Sequence, residues 1–220
     1  MPRPSRHLDR ALLAAGRELL PVYGCSGLTI RQVADAAGVN IGMFHYHFRT
    51  RETFLRAAMQ AVYEEMYSQL AMVTAKDFSA TANLRAALHV LGRFLQENRA
   101  LVARILADAL GGESVARVFL RDNFPRHLRV IRSRVAAGQA SGELRPIAPT
   151  QAFAFCAGAL AMPVLMGGAL ADSGALEPAF ERELRDSILT ERALDERIDL
   201  ALAALAVGEK SKPKRQGGTS

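Results

Sequence analysis

With 220 residues, half of them hydrophobic, the chain is long enough for one sizeable core or two small ones and too apolar to read as disordered. Its 28 Lys and Arg against 22 Asp and Glu leave a formal charge of +6, a modest surplus that favours phosphates or anionic surfaces as partners without singling one out. The only two cysteines, Cys25 and Cys156, fall far apart in different expected helical units, which argues against a structural disulfide and for a reducing, cytoplasmic setting. The stretch Met1 to His7 holds no apolar run of the kind a signal peptide needs.

Almost every long segment repeats its apolar residues with the helical period, and no alternating run is bounded by hairpin turn residues, so an all-α fold is expected. The first helix should run from about Ser5 to Tyr23, with Leu8, Leu12, Ala15, Leu19 and Val22 on one stripe, Pro21 in its last turn and Gly24 as its stop. Thr29 and Gln32 have the capping-box spacing and open a short second helix that ends by Ala37 and Gly38. After a tight turn at Gly38 and Val39, Asn40 caps a third helix through about His47. A break at Phe48 and Arg49 precedes Thr50, which caps a fourth helix from Arg51 toward Val73, long enough to connect two units.

Beyond residue 80, apolar stripes at Leu84, Ala87, Leu88, Leu91 and Leu95, at Leu101, Ile105 and Ala109, at Val115, Val118 and Phe119, and at Leu128, Ile131 and Val135 after Pro125 describe a second helical unit. A Gly- and Pro-rich loop spans Gly138 to Pro149. Residues Ala152 to Ala171 carry no charge and approach bilayer-spanning length, but the dominance of Ala and Gly and the interruption at Pro163 favour a helix buried on all sides, with no membrane. Its small residues Ala154, Gly158 and Ala161 would admit a close helix partner, which favours an interface. A last amphipathic helix carries Leu194, Ile198, Leu202 and Leu205, and Leu194 is expected at a dimer contact. Residues 208–220 read as a disordered basic tail.

The second and third helices, with a Gly-containing turn between them, have the helix-turn-helix arrangement that sets one helix into a major groove. The third carries no formal charge outside its histidines, so phosphates and base edges meet no repulsion, and Gly42 permits close approach. Phe44 and Phe48, four apart, should face inward onto Val33, Val39 and Leu19.

The run from Leu28 to Phe54, with Thr29 at its start, Ala37-Gly38-Val39 at the turn and His47-Phe48 at its end, closely resembles the TetR-family signature. With the helix Ala11 to Leu20 before it, the resemblance covers about residues 6–66 and implies a DNA-binding domain there, with its motif at 29–48. A helical effector-binding and dimerisation domain over 67–207 would follow. The segment Ala136 to Pro146 is similar to a loop that often precedes the dimerisation helices of this family. By matching position, Thr29, His47 and Arg51 would hold phosphates, while Ile41, Gly42, Met43 and Tyr46 would face base edges or methyl groups, with Asn40 at the entry. The family usually has Tyr where this chain has His45 and Lys where it has Arg51; both replacements still donate to phosphate. Few Asn, Gln or Arg groups point at bases, so shape and deformability of the DNA should carry part of the specificity.

Other groups have plainer readings. His45 and His47 point about 200° apart on a helix and cannot share one metal ion, so no metal site is expected. His89 and His127 are single histidines of the ordinary surface or satisfied kind. Six arginines at 117, 121, 126, 129, 132 and 134 against Asp122 make a solvated face or, more sharply, a wall for an anionic effector. Phe94, Phe119, Phe124, Phe153, Phe155, Met162 and Met166 fit an ordinary core. The resemblance raises an effector cavity above that reading, with Phe94, Phe119, Phe124, His127, Phe155 and Met162 as its candidate walls.

Hydrolase elbows, phosphate loops, dinucleotide fingerprints and zinc-ligand pairs do not occur, so neither an enzyme nor a cofactor is expected. The resemblance implies a homodimeric repressor on a near-palindromic double-stranded operator, released by a small-molecule effector. The alternatives are an activator, or a helical small-molecule-binding protein or enzyme that keeps the fold without operator binding.

Overall fold

The computed structural model describes residues 6–74 and 78–207, so the expected tail lies outside the described residues. All regular structure in them is helical, apart from one isolated bridge between Leu144 and Ala206. Helix α1 spans Arg6–Gly27, past the expected stop. Gly24 does break it, with φ at 67°, a left-handed value that only glycine adopts freely, but the chain resumes a last turn beyond the kink. The break frees the Cys25 N–H, and the Asp108 carboxylate accepts it at 2.6 Å. Of the expected stripe, Leu12 and Ala15 are buried, but it is Leu20 that lies inside and Val22 is exposed.

Helix α2 (Ile30–Ala36) begins with a complete capping box: Gln32 N–H donates to Thr29 Oγ1 at 3.3 Å and Thr29 N–H donates to Gln32 Oε1 at 2.8 Å. Gly38 turns the chain with a positive φ, and Asn40 Oδ1 accepts the Met43 N–H at 2.9 Å to start α3 (Ile41–Phe48). Helix α4 (Arg51–Thr74) then leads away, its first turn held by Thr50 Oγ1 on the Thr53 N–H. Phe44, Phe48 and Phe54 form a mutual aromatic cluster with centroids 5.2–5.9 Å apart, close-packed with Leu12, Ala15 and Val33. The same core takes in Leu101, Ile105 and Ala109 of α6 (Arg99–Leu110) and Val115 of α7 (Ser114–Ala140), so the first unit is packed against the second across the expected boundary near residue 66.

The second core gathers Tyr63 and Leu70 of α4, Leu84 and Leu88 of α5 (Ala80–Glu97), Ile131 and Val135 of α7, Cys156 and Leu160 of α8 (Pro149–Met162), and Leu194 and Ile198 of α11 (Glu191–Leu205). Pro125 does not divide α7, because Arg121, whose carbonyl loses its partner, lies at the surface where water replaces the bond. Pro163 opens a π turn, Pro163–Gly167, whose wider bore relieves the ring's clash with the preceding turn; α9 (Gly168–Ala171) and α10 (Pro178–Ile188) follow.

Two expectations are corrected here. The apolar run near residues 152–171 is not buried on all sides: Ala152, Cys156, Leu160 and Val164 face the core, whereas Ala154, Phe155, Gly158, Met162 and Met166 face outward. Pro149–Ala171 is long and apolar enough to cross a membrane, yet only 28% of its most apolar window is buried, because a 3.6-residue period puts half its side chains outside. Leu194 is not on an outer face either. It is fully buried over Gly92, and Leu200, on the opposite side of α11, is 71% exposed.

Candidate nucleic-acid interface and effector cavity

Inward anchoring of Phe44 and Phe48 leaves one outer face on α3, made of Ile41, Gly42, His45, Tyr46 and, one turn further, Arg49. Tyr46 is 64% exposed and Ile41 46%, a degree unusual for such side chains unless something covers them. Met43 is half-buried at the edge of that face. Thr29 and Asn40, exposed at the two helix starts, already use their side chains as caps, and His45 Nδ1 lies 3.0 Å from the Arg49 carbonyl.

Two residues expected to hold phosphates are turned inward. Arg51 donates from Nε to the Leu28 carbonyl at 2.5 Å and from Nη2 to the Cys25 carbonyl. These are orphan carbonyls at the negative end of α1, where a guanidinium is the natural partner. His47 Nδ1 pairs with the Asp9 carboxylate on α1, the side chain is only 10% exposed, and its Nε2 is buried without a partner. Both therefore lock α3 and α4 to α1. Arg49, which the sequence reading passed over, is the exposed cation beside the face. It caps α3 at a φ of 56°, and the charge following the last helical aromatic was the signal. Arg31 is exposed as well but sits 3.8 Å from Asp35.

In the second unit, α4, α5, α6, α7 and α8 enclose a cavity of about 230 Å³. Met59, Val62, Leu91, Ile105, Phe153 and Leu160 are among its walls, and Phe94, Phe119, Phe124 and His127 line it as expected. Phe155 and Met162 do not: they lie on the outer side of α8, about half a turn from the Phe153, Cys156 and Leu160 stripe that faces the cavity. No charged residue lines it among the described residues. None of the six arginines lines this cavity, and three have partners elsewhere: Arg126 grips Glu64 (3.1 Å from Nη2) and stacks 4.1 Å over Tyr67, Arg121 pairs with Asp122, and Arg117 donates to the Ala109 carbonyl.

One polar corner remains, where Tyr63, Asn123 and His127 meet. Tyr63 Oη lies 2.8 Å from the Asn123 carbonyl and 3.3 Å from His127 Nδ1. Burial pushes His127 down to about 4, so the ring is neutral at physiological pH. Burial also pushes the Cys156 thiol up to about 11 and Cys25 to about 12, which leaves both unreactive; both are free. His89 Nε2 lies 3.3 Å from an Asp195 carboxylate oxygen, away from the cavity.

Residues 12–58 match the family model for bacterial regulatory proteins of the tetR family. No curated protein matches the sequence. Solved structures match along nearly the whole chain. They include the ketosteroid transcriptional regulator KstR2 of Mycobacterium tuberculosis, at 14% identity and TM-score 0.67, covering 94% of this chain and 97% of that one. A bacterial regulatory protein of the tetR family from Rhodococcus RHA1 matches at 18% identity and TM-score 0.65, covering 92% and 98%. AibR, solved in complex with isovaleryl coenzyme A and operator DNA, matches at 17% identity and TM-score 0.66, covering 90% and 98%. At these identities the structures establish the fold, and the family match is confined to residues 12–58: that stretch is similar to the N-terminal region of tetR-family regulatory proteins, and the chain as a whole shares the helical fold of the matched structures.

Proposed function

We propose that this protein is a cytoplasmic, homodimeric transcriptional repressor that binds a near-palindromic operator and is released by a small apolar effector. The observation that carries the reading is the outer face of α3, where Ile41, Gly42, His45 and Tyr46 stand exposed over a rigid aromatic core. Apolar tips there suit thymine methyl groups, and the Tyr46 hydroxyl and the side-chain NH2 of Asn40 offer donors to phosphates and base edges. Arg49 supplies the charge for phosphate. His47 and Arg51 act through α1, by fixing the angle at which α3 is presented.

The dimer is supported by the outer stripe of α8, which continues onto the exposed Leu200 of α11 packed beside it. Small residues at Ala154 and Gly158, with open space beside Gly158, let a second pair of helices approach closely. Two recognition helices would then meet successive major grooves about 34 Å apart. Effector release is supported by α4, which carries Phe54 and Leu55 in the aromatic core at its start and lines the cavity with Met59, Val62, Tyr63 and Met66 along its middle. A ligand that prefers a state with the two α3 helices at the wrong separation weakens DNA binding by that preference.

Binding of the full chain to operator and to random DNA, titrated with salt, tests the assignment of roles. Arg49→Ala should weaken both complexes alike and reduce the salt slope by about 1, whereas Tyr46→Ala should also erase the preference for operator. Equal losses on both DNAs for both variants would contradict it. Leu200→Arg should yield folded monomers, while Leu194→Arg should fail to fold; a stable Leu200→Arg dimer would move the interface elsewhere.

A further inference from the structure

The polar corner of the cavity is a single acceptor in an otherwise apolar space, and its polarity follows from the hydrogen bonds around Tyr63. The Tyr63 hydroxyl has one proton to place, with the Asn123 carbonyl, His127 Nδ1 and the His127 backbone N–H around it. The Asn123 carbonyl, at 2.8 Å, can only accept, so the hydroxyl proton goes there. His127 Nδ1, at 3.3 Å, therefore faces a hydroxyl lone pair and must itself carry a proton. In a neutral imidazole this leaves Nε2 as a bare acceptor. The ring is neutral because it is buried with no carboxylate against it; the nearest carboxylate on α4, that of Glu64, is held by Arg126. Among the described residues Nε2 has no hydrogen-bond partner, and the ring is walled by Phe124 in an edge contact at 5.1 Å, with Phe153 beyond.

We infer that the cavity takes a small uncharged ligand with an apolar body and one hydrogen-bond donor, an alcohol or phenol, whose O–H donates to His127 Nε2. This rests on the reading of the cavity as an effector site and names the chemical class of the effector. A carboxylate is the wrong class, because it would enter an apolar space without a counter-ion and place its charge against an acceptor. An ether of the same shape is wrong for a different reason: it leaves Nε2 buried and unpaired, which weakens binding by about tenfold or more. Tyr63 and Asn123 are positioning residues for this hydrogen bond, since they fix the His127 tautomer while the ligand's O–H goes to Nε2.

The experiment is a calorimetric titration of the full chain at neutral pH with octanol, heptyl methyl ether and octanoate, repeated on His127→Leu. Octanol should bind about tenfold or more tightly than the ether, octanoate should not bind, and His127→Leu should bind octanol and the ether alike. Equal binding of octanol and ether by the unaltered protein, preference for octanoate, or binding of none of the three overturns the inference. Nitrogen-15 shifts of the His127 ring provide a reading that needs no variant: the Nδ1–H tautomer is expected, and the Nε2–H tautomer would refute it. DNA binding in the same samples separates this inference from effector release. Octanol that binds with the stated preference but leaves DNA affinity unchanged supports the ligand class and overturns only the release. Release by octanol and ether alike overturns the ligand class and leaves release standing.

Discussion

The first turn of α4 and its middle are built in opposite ways. Around Phe54 the helix is packed solid, with Phe44 and Phe48 at about 5 to 6 Å and small residues such as Gly16 shaped to the Phe54 ring. Around Tyr63, a little over two turns on, it borders a cavity of about 230 Å³. A filled core resists deformation and suits a face that must meet DNA in one orientation. An apolar void forgoes dispersion contacts, so the subunit is less stable empty than occupied, and a ligand that fills it stabilises the state it binds. Under the proposed function, the contrast gives rigidity to the part that would meet DNA and adaptability to the part that would take a ligand.

Truncation in the solid part should have the largest effect. Phe44→Ala removes a fully buried ring from the aromatic cluster and should cost about 3–5 kcal/mol, read as a fall in the denaturation midpoint. A loss under about 1 kcal/mol would mean that this part is as loosely packed as the other. Next comes acid. His127 titrates near 4 in the folded chain against about 6.5 when unfolded, so the unfolded chain binds the extra proton across that window. Stability should therefore fall as pH drops from about 6.5 to about 4, by roughly 3 kcal/mol in all, and His127→Leu should remove that slope. A smaller gain is expected from filling the void: Ala157→Leu should stabilise by about 1 kcal/mol while blocking ligand binding, and destabilisation instead would show that no spare volume exists there. The smallest change in stability is Asn40→Gly, a few tenths of a kcal/mol by cap chemistry. If operator affinity falls by much more than that, Asn40 contacts DNA as well as capping α3.

The same contrast governs what could be read in advance. The first four helices were legible to within a few residues because their signals are local: a capping box at Thr29, an Asn cap at Asn40, a glycine turn at Gly38 and phenylalanines four apart. The cavity was only partly legible. Phe94, Phe119, Phe124 and His127 do line it, but Phe153 and Phe155 sit two apart on one helix, and periodicity without an anchored inner face could not say which of them points inward. Leu194 and Leu200 pose the same problem on α11. Arg51 and His47 were misdirected for a related reason. A cation at a helix end serves an orphan carbonyl as readily as a phosphate, and only the fold shows that the end of α1 lies within reach.

The most direct measurement is a genome-fragment binding selection with the purified full chain at near-physiological salt, followed by footprinting of the enriched fragments. The account predicts a near-palindromic site protected on two successive major grooves, with half-sites about 34 Å apart. No enrichment over random DNA, or a single asymmetric footprint, would contradict it.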